Sequence, residues 1–158
     1  MTITLDDRTE RTVRIYYELS QQPVIKAMLP QKAQSVEEAV CDYKKTLLPK
    51  STSFGRVIRV DGEYVGDVWS YCIDKAETPN AMLSYCVFDR AYWGKGVAST
   101  AVSLFLKELR ERYPIGSLGA FTFSENIASQ RVLAKNGFLL VEEFVEDGKP
   151  SRYYQLDF

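Results

Sequence analysis

Residues 85–99 read Tyr85-Cys-Val-Phe-Asp-Arg-Ala-Tyr-Trp-Gly-Lys-Gly-Val-Ala-Ser99: an apolar strand, a short polar link, two glycines and the start of an amphipathic helix. Strand, glycine turn and helix together form an anion-binding geometry. The N–H groups of a first helical turn lack partners, the positive end of the helix dipole lies there, and glycine lets a ligand approach the backbone. On this basis Gly94, Lys95, Gly96, Val97 and Ala98 cradle a diphosphate, with the Lys95 ammonium nearby. A nucleoside triphosphatase loop needs GxxxxGK followed by Ser or Thr, whereas Gly94-Lys95 is followed by Gly96 and Gly148-Lys149 by Pro150. A dinucleotide fingerprint needs a third glycine where this chain has Ser99. A GxG at such a junction also occurs as a tight turn with no ligand, so the neighbouring segments decide.

Upstream the apolar period is two. Val57, Ile58 and Val60, then residues 64–73, then 81–88, are separated by Asp61-Gly62 and Thr78-Pro79-Asn80, which predicts three consecutive antiparallel strands. Further upstream lie a short alternating strand through Ile3 and Leu5, a helix over 9–22 and breaks at Pro23 and Pro30. The capping box Ser35-Val-Glu-Glu38 opens a helix whose stripe Val36, Ala39, Val40, Tyr43 and Leu47 ends near Pro49. Downstream, 96–113 is helical with Ala98, Ala101, Val102, Phe105 and Leu109 on one face, and Pro114 stops it. A strand over 118–123, a short helix over 126–136 closed by Gly137, and strands over 138–145 and 152–158 around Asp147-Gly148 complete a mixed α+β layer.

The 158 residues fit one domain, 1–158, and no repeat or linker divides them. With 46% apolar and 26% charged residues the chain is an ordinary globular one. Its 20 basic and 21 acidic side chains provide no net field to gather nucleic acid or an anionic membrane, so neither is expected as a partner. The opening MTITLDDRTE has no basic or apolar leader pattern, and the three cysteines Cys41, Cys72 and Cys86 fit neither a disulfide framework nor a metal site; a cytoplasmic setting is expected. Histidine is absent, which removes the commonest general base and zinc ligand and with them Ser-His-Asp, Cys-His and HExxH chemistry. No metal is expected.

The hexapeptide Trp93-Gly-Lys-Gly-Val-Ala98 resembles the acyl-CoA diphosphate loop of the GNAT acetyltransferases, with Trp93 at the usual Arg/Gln position and Gly96 and Ala98 at small-residue positions. Glu125-Asn-Ile-Ala-Ser-Gln-Arg-Val-Leu-Ala-Lys-Asn-Gly-Phe138 is similar to the NxxSxxxLxKxGF signature of the branch that includes ribosomal-protein N-terminal acetyltransferases. The Gln22-Pro23 segment and the Ser35-Val-Glu-Glu-Ala39 helix resemble that branch's substrate-side region. Individual residues also have plainer uses: Asn126 as an N-cap, Gly137 as a C-cap and Phe138 as core.

The resemblance implies an α/β three-layer GNAT-like fold: a mixed, mostly antiparallel central sheet, two splayed parallel central strands ending near Phe88 and Phe123, and helices on both faces. It implies acetyl-CoA as co-substrate and an amine acceptor (protein N-terminus or small-molecule amine); the sequence leaves monomer or homodimer open. The expected coenzyme-binding residues are Val87, Phe88, Trp93, Gly94, Lys95, Gly96, Val97, Ala98, Ser99 and Asn126. A backbone N–H near Val87 or Phe88 would stabilise the thioester oxygen. Many family members protonate the leaving thiolate with a tyrosine where this chain has Leu133, so the catalytic role passes to Ser129, as the branch signature implies. Candidate bases are Glu125, Tyr85 or a water chain, and Tyr16, Tyr17, Tyr71 and Tyr92 are candidates for an acceptor groove. Cys86 reads as a small apolar strand residue. The alternative function is a non-catalytic acyl-CoA-binding regulatory module, which Leu133 permits.

Overall fold

The computed structural model describes residues 1–29, 32–74 and 79–158. One seven-stranded sheet carries the chain: β1 (Ile3–Asp7), β2 (Phe54–Val60), β3 (Glu63–Tyr71), β4 (Asn80–Val87), β5 (Ser117–Phe123), β6 (Leu139–Glu146) and β7 (Lys149–Asp157), in the order β1-β2-β3-β4-β5-β7-β6. All neighbours are antiparallel except β4 and β5, which are parallel. The Asp61-Gly62 and Asp147-Gly148 turns hold both residues at positive φ, as two-residue hairpins of this twist require. Part of the expected 78–80 turn, Thr78, lies outside the described residues.

The helices are α1 (Glu10–Leu19), α2 (Pro23–Met28), α3 (Val36–Thr46), α4 (Val97–Arg112) and α5 (Ile127–Lys135). The predicted 9–22 helix stops at Leu19, and Pro23, expected as a break, instead opens α2 from its first position. Proline is pre-set for that site, where its missing N–H would have had no helical partner. The box expected at Ser35 is half formed: Ser35 Oγ accepts from Glu38 N at 3.1 Å, but the Glu38 carboxylate accepts from Gln34 N. A reciprocal box forms at Thr9 and Thr12 of α1. Leu47, expected on the buried stripe of α3, is its C-cap and is exposed. The strand expected to reach Ile73 ends at Tyr71, and Cys72 takes positive φ just beyond it.

Adjacent residues of β3 show how the layers divide. Val68 faces the core that Val97, Ala101, Val102, Phe105 and Leu109 of α4 complete, while Trp69 points to the other face and meets the Tyr16 ring of α1 edge-on at 6.0 Å. Helices therefore cover both faces. The strip of α4 that is buried begins at Val97 rather than at the expected Ala98, which is only half-buried. Among the described residues no helix is long and apolar enough to cross a membrane.

The decisive feature is where the sheet parts. β4 and β5 pair only from Asn80–Met82 to Ser117–Gly119. Beyond that point β4 continues along β3 as far as Val87, and β5 continues along β7 as far as Phe123. Each strand keeps its outer partner while separating from the other, so the sheet opens at its centre without an unsupported strand.

Candidate active site

A cavity of about 630 Å³ occupies this split. Residues 83–87 of β4 and 120–122 of β5 form its two edges, Trp93, Gly94 and residues 96–99 its mouth, α5 one wall, and Val24, Ile25 and Met28 of α2 another. Of the expected site residues, Val87, Trp93, Gly94, Gly96, Val97, Ala98, Ser99, Asn126 and Ser129 all lie on it. Phe88 and Lys95 do not: the Phe88 ring is buried against Tyr16 and Tyr64, and Lys95 Nζ lies 5.9 Å above the Tyr92 ring.

The mouth has the electrostatics of an anion site. Gly94 and Gly96 take φ of 73° and 79°, a region costly for other residues. Gly96 is the N-cap of α4 and has no side chain to satisfy the N–H groups of the first turn. Every other described helix of at least nine residues has such a cap: Thr9, Ser35 and Asn126 each accept a backbone N–H of their helix. Of these four longer helices α4 alone lacks a side-chain cap, and its start opens onto the cavity, beside the capped start of α5. The first turn of α4 also carries no acidic residue. Arg131 and Lys135, one turn apart on α5, add two cations to the wall. Neither was singled out from sequence, although their i, i+4 spacing places them on one helix face.

Which strand amide faces the split follows from the ladder. Phe88 N donates to Val65 O at 3.0 Å, toward β3. N–H groups alternate between the two edges of a strand, so that of Val87 turns toward the gap. The Trp93 indole N–H donates to Val87 O at 2.7 Å and so pins the glycine loop to the end of β4. Gly66, opposite Val87, permits this close strand packing: a Cβ there would lie 2.2 Å from Cys86 O and 2.8 Å from Val87 Cα.

On α5, Asn126 caps the helix and its Oδ1 accepts from Ser129 N at 3.1 Å. Leu133, where many family members have tyrosine, is fully buried. Gly137 ends the helix in a Schellman motif, with Phe138 N bonding Leu133 O and Gly137 N bonding Ala134 O. The Ser129 hydroxyl meets the phenol of Tyr85 at 2.7 Å. Burial pushes the Tyr85 phenol well above its ordinary range, so it stays protonated and is a donor rather than a base. Burial likewise pushes the Cys86 thiol up to about 11, despite its hydrogen bond with Tyr16, so it is no ready nucleophile. Among the described residues on the cavity the only carboxylate is Glu125, exposed and 3.8 Å from Lys149 Nζ. Of the four tyrosines considered for an acceptor groove, only Tyr92 reaches the cavity.

Behind β4, on its other face, lies a buried polar cluster that sequence reading missed. Asp67, directly opposite Cys86, is 2% exposed; it accepts from Arg8 Nε at 3.0 Å and from the Tyr64 hydroxyl. Burial raises the Asp67 carboxyl, and Arg8 and Tyr64 pull it back.

Residues 3–139 match the family model described as an acetyltransferase (GNAT) domain. No curated protein matches the sequence. Among solved structures, the chain is similar to RimL, a ribosomal L7/L12 alpha-N-protein acetyltransferase in complex with coenzyme A, at 20% identity and TM-score 0.83, covering 99% of this chain and 94% of that one. Mycobacterium smegmatis RimJ in complex with CoA-disulfide gives 19% and 0.81 over 98% and 81%. The aminoglycoside acetyltransferase AAC(6')-Ib in complex with paromomycin and acetyl-CoA gives 16% and 0.82 over 99% and 94%. These structural likenesses carry the fold.

Proposed function

Since the chain belongs to the GNAT acetyltransferase family, we propose that it transfers an acetyl group from acetyl-CoA to a primary amine, and that the amine is an α-amine such as a peptide N-terminus. The observation that carries the proposal is the central split of the sheet, with an uncapped helix start at its mouth. The residues fit the coenzyme: open main-chain amides at 97–99, Arg131 and Lys135 suit its phosphates, and the gap between two strand edges suits an extended amide-bearing arm.

The thioester supplies an activated acetyl group. The Val87 N–H, turned into the gap, stabilises the charge that builds on the acyl oxygen as the amine adds. As the carbon–sulfur bond breaks, the Ser129 hydroxyl gives its proton to the departing sulfur and is replenished from solvent. The proton lost by the amine leaves through Glu125 or water. Asn126, by fixing the first turn of α5, holds Ser129 in place.

The preference for an α-amine rests on the scarcity of bases. At pH 7.5 an α-amine of pKa near 7.8 is about one-third neutral, while a lysine amine of pKa near 10.4 is only about 0.1% neutral. A cavity whose single carboxylate among the described residues is exposed cannot compensate for so large a difference by buried base assistance. RimL is described as an alpha-N-protein acetyltransferase and AAC(6')-Ib as an aminoglycoside acetyltransferase, which makes a peptide N-terminus and an aminoglycoside the acceptors to compare. The experiment is a panel of free-N-terminal peptides, N-blocked lysine peptides, polyamines and aminoglycosides, read by thiol release and mass spectrometry. Peptides with a free α-amine should be acetylated, at a rate rising up to about pH 8. Lysine peptides reacting equally well at pH 7 would contradict the α-amine preference. Tight coenzyme binding without acetylation of any amine would favour the non-catalytic module.

A further inference from the structure

We propose that Tyr85 is a positioning residue for acetyl transfer, whose phenolic O–H, held 2.7 Å from Ser129 Oγ, turns the serine's only proton into the cavity. The proposal rests on the reading in which Ser129 serves the departing sulfur. Tyr85 comes from β4, on one edge of the split, and Ser129 from α5, the wall beside it, 44 residues later. A helix-borne serine ordinarily bonds back to a carbonyl of its own helix. Here the partner hydroxyl comes from the adjoining strand β4 rather than from the serine's own helix, at a distance typical of a good O–H···O bond.

The phenol has one hydrogen and two acceptors in reach, Ser129 Oγ at 2.7 Å and Ser129 O at 3.1 Å. If it donates to the carbonyl, the serine must donate to the phenol for the 2.7 Å contact to be a bond, and no serine proton faces the cavity. If it donates to Oγ, the serine proton is free for a ligand in the cavity. A negatively charged sulfur stabilises the second arrangement, because both hydroxyl dipoles then point toward the charge. The Ser129 carbonyl, inside α5, already accepts a helical bond and loses little when the phenol swings away. The fold thus places a tyrosine hydroxyl within one serine of the reacting sulfur, although residue 133, the family's tyrosine position, is leucine.

The test compares wild type, Tyr85→Phe, Ser129→Ala and the double variant. Tyr85→Phe should lower kcat by about tenfold or more, within the range for general acid–base assistance, with KM for acetyl-CoA changed by less than about threefold. The double variant should be no slower than Ser129→Ala alone, since Tyr85 acts only through the serine. The second readout is the titration of the bound coenzyme A thiol, followed by thiolate ultraviolet absorbance. Both single variants should raise its pKa by similar amounts. Unchanged kcat and thiol titration in Tyr85→Phe, with both altered in Ser129→Ala, would overturn the role of Tyr85 alone. If neither variant alters either quantity, the role of Ser129 falls with it. If wild type binds no coenzyme A, the functional reading itself fails. Fluorinated tyrosine at 85 keeps the hydroxyl and strengthens it as a donor, so it serves if the phenylalanine variant does not fold. A lowered thiol pKa supports the proposal, and no change overturns it.

Discussion

Gly96→Glu should abolish most coenzyme binding, raising Kd for acetyl-CoA by about a hundredfold. Two effects combine. A carboxylate at the N-cap of α4 can accept the first-turn N–H groups intramolecularly, as Thr9, Ser35 and Asn126 do in their helices, and it places negative charge where the phosphates would sit. Among the described residues, apart from Gly96 itself and its chain neighbours, no atom lies within 4 Å of a Cβ built at Gly96, so a side chain there has open space to occupy at the mouth of the cavity. The left-handed φ of 79° adds a fold cost of about 1 kcal/mol that Gly96→Ala shares. Thermal shift separates the two. At a hundred times the wild-type Kd, ligand stabilises wild type by about 2.7 kcal/mol and a hundredfold weaker variant by about 0.4 kcal/mol. For a chain of this size that is roughly 5–10 °C against about 1 °C. Equal shifts in the two proteins would mean that α4 does not hold the phosphates.

Arg8→Met should destabilise the protein by about 3–5 kcal/mol, the usual result of removing one partner of a buried ion pair. Methionine keeps apolar contact with Trp69, over which the guanidinium sits at 5.4 Å, but leaves Asp67 at 2% exposure without its cation. The loss depends on pH in a defined direction. Burial already raises the Asp67 carboxyl, and removing Arg8 raises it further. A folded-state pKa above the unfolded value means that the native state binds the proton more tightly. Stability therefore falls as pH rises from the unfolded pKa, near 3.9, through the folded one. The deficit relative to wild type should be largest at neutral pH and shrink as Asp67 protonates in acid. Urea melts at pH 7 and pH 4.5 measure it. A deficit independent of pH would show that Asp67 is not its source, and Asp67→Asn in the Arg8→Met background should recover part of it at pH 7.

Local patterns in the sequence carried most of the elements because they are fixed by local physics. Alternation over 57–60 and 81–88, the Asp-Gly turns and the α4 stripe each follow from side-chain period and turn dihedrals, and the structure has them. Pro23 misled because the same fixed φ that ends one helix begins another, and only the packing of Ile25 into the interior decides between them. Leu47 misled because the periodic stripe of α3 outlasts the helix itself. The cavity residues on the loop and on α5 came from two motifs, and nearly all of them face the split. Phe88 did not, because the facing of a strand residue depends on its register with β3, which no motif encodes. The same reason hid Tyr85 as a partner of Ser129 and Asp67 as a buried charge. Each acquires its role from a residue at least 44 positions away.

The claim on which the mechanism stands is that main-chain amides opening α4 bind the coenzyme's diphosphate. Backbone amide resonances recorded during titration with coenzyme A test it directly. Large downfield proton shifts are expected for Val97, Ala98 and Ser99, the signature of N–H groups that gain charged acceptors, with smaller changes for Val87 and Ser129. Saturable binding that leaves the three α4 amides unmoved while another helix start or loop responds would contradict it.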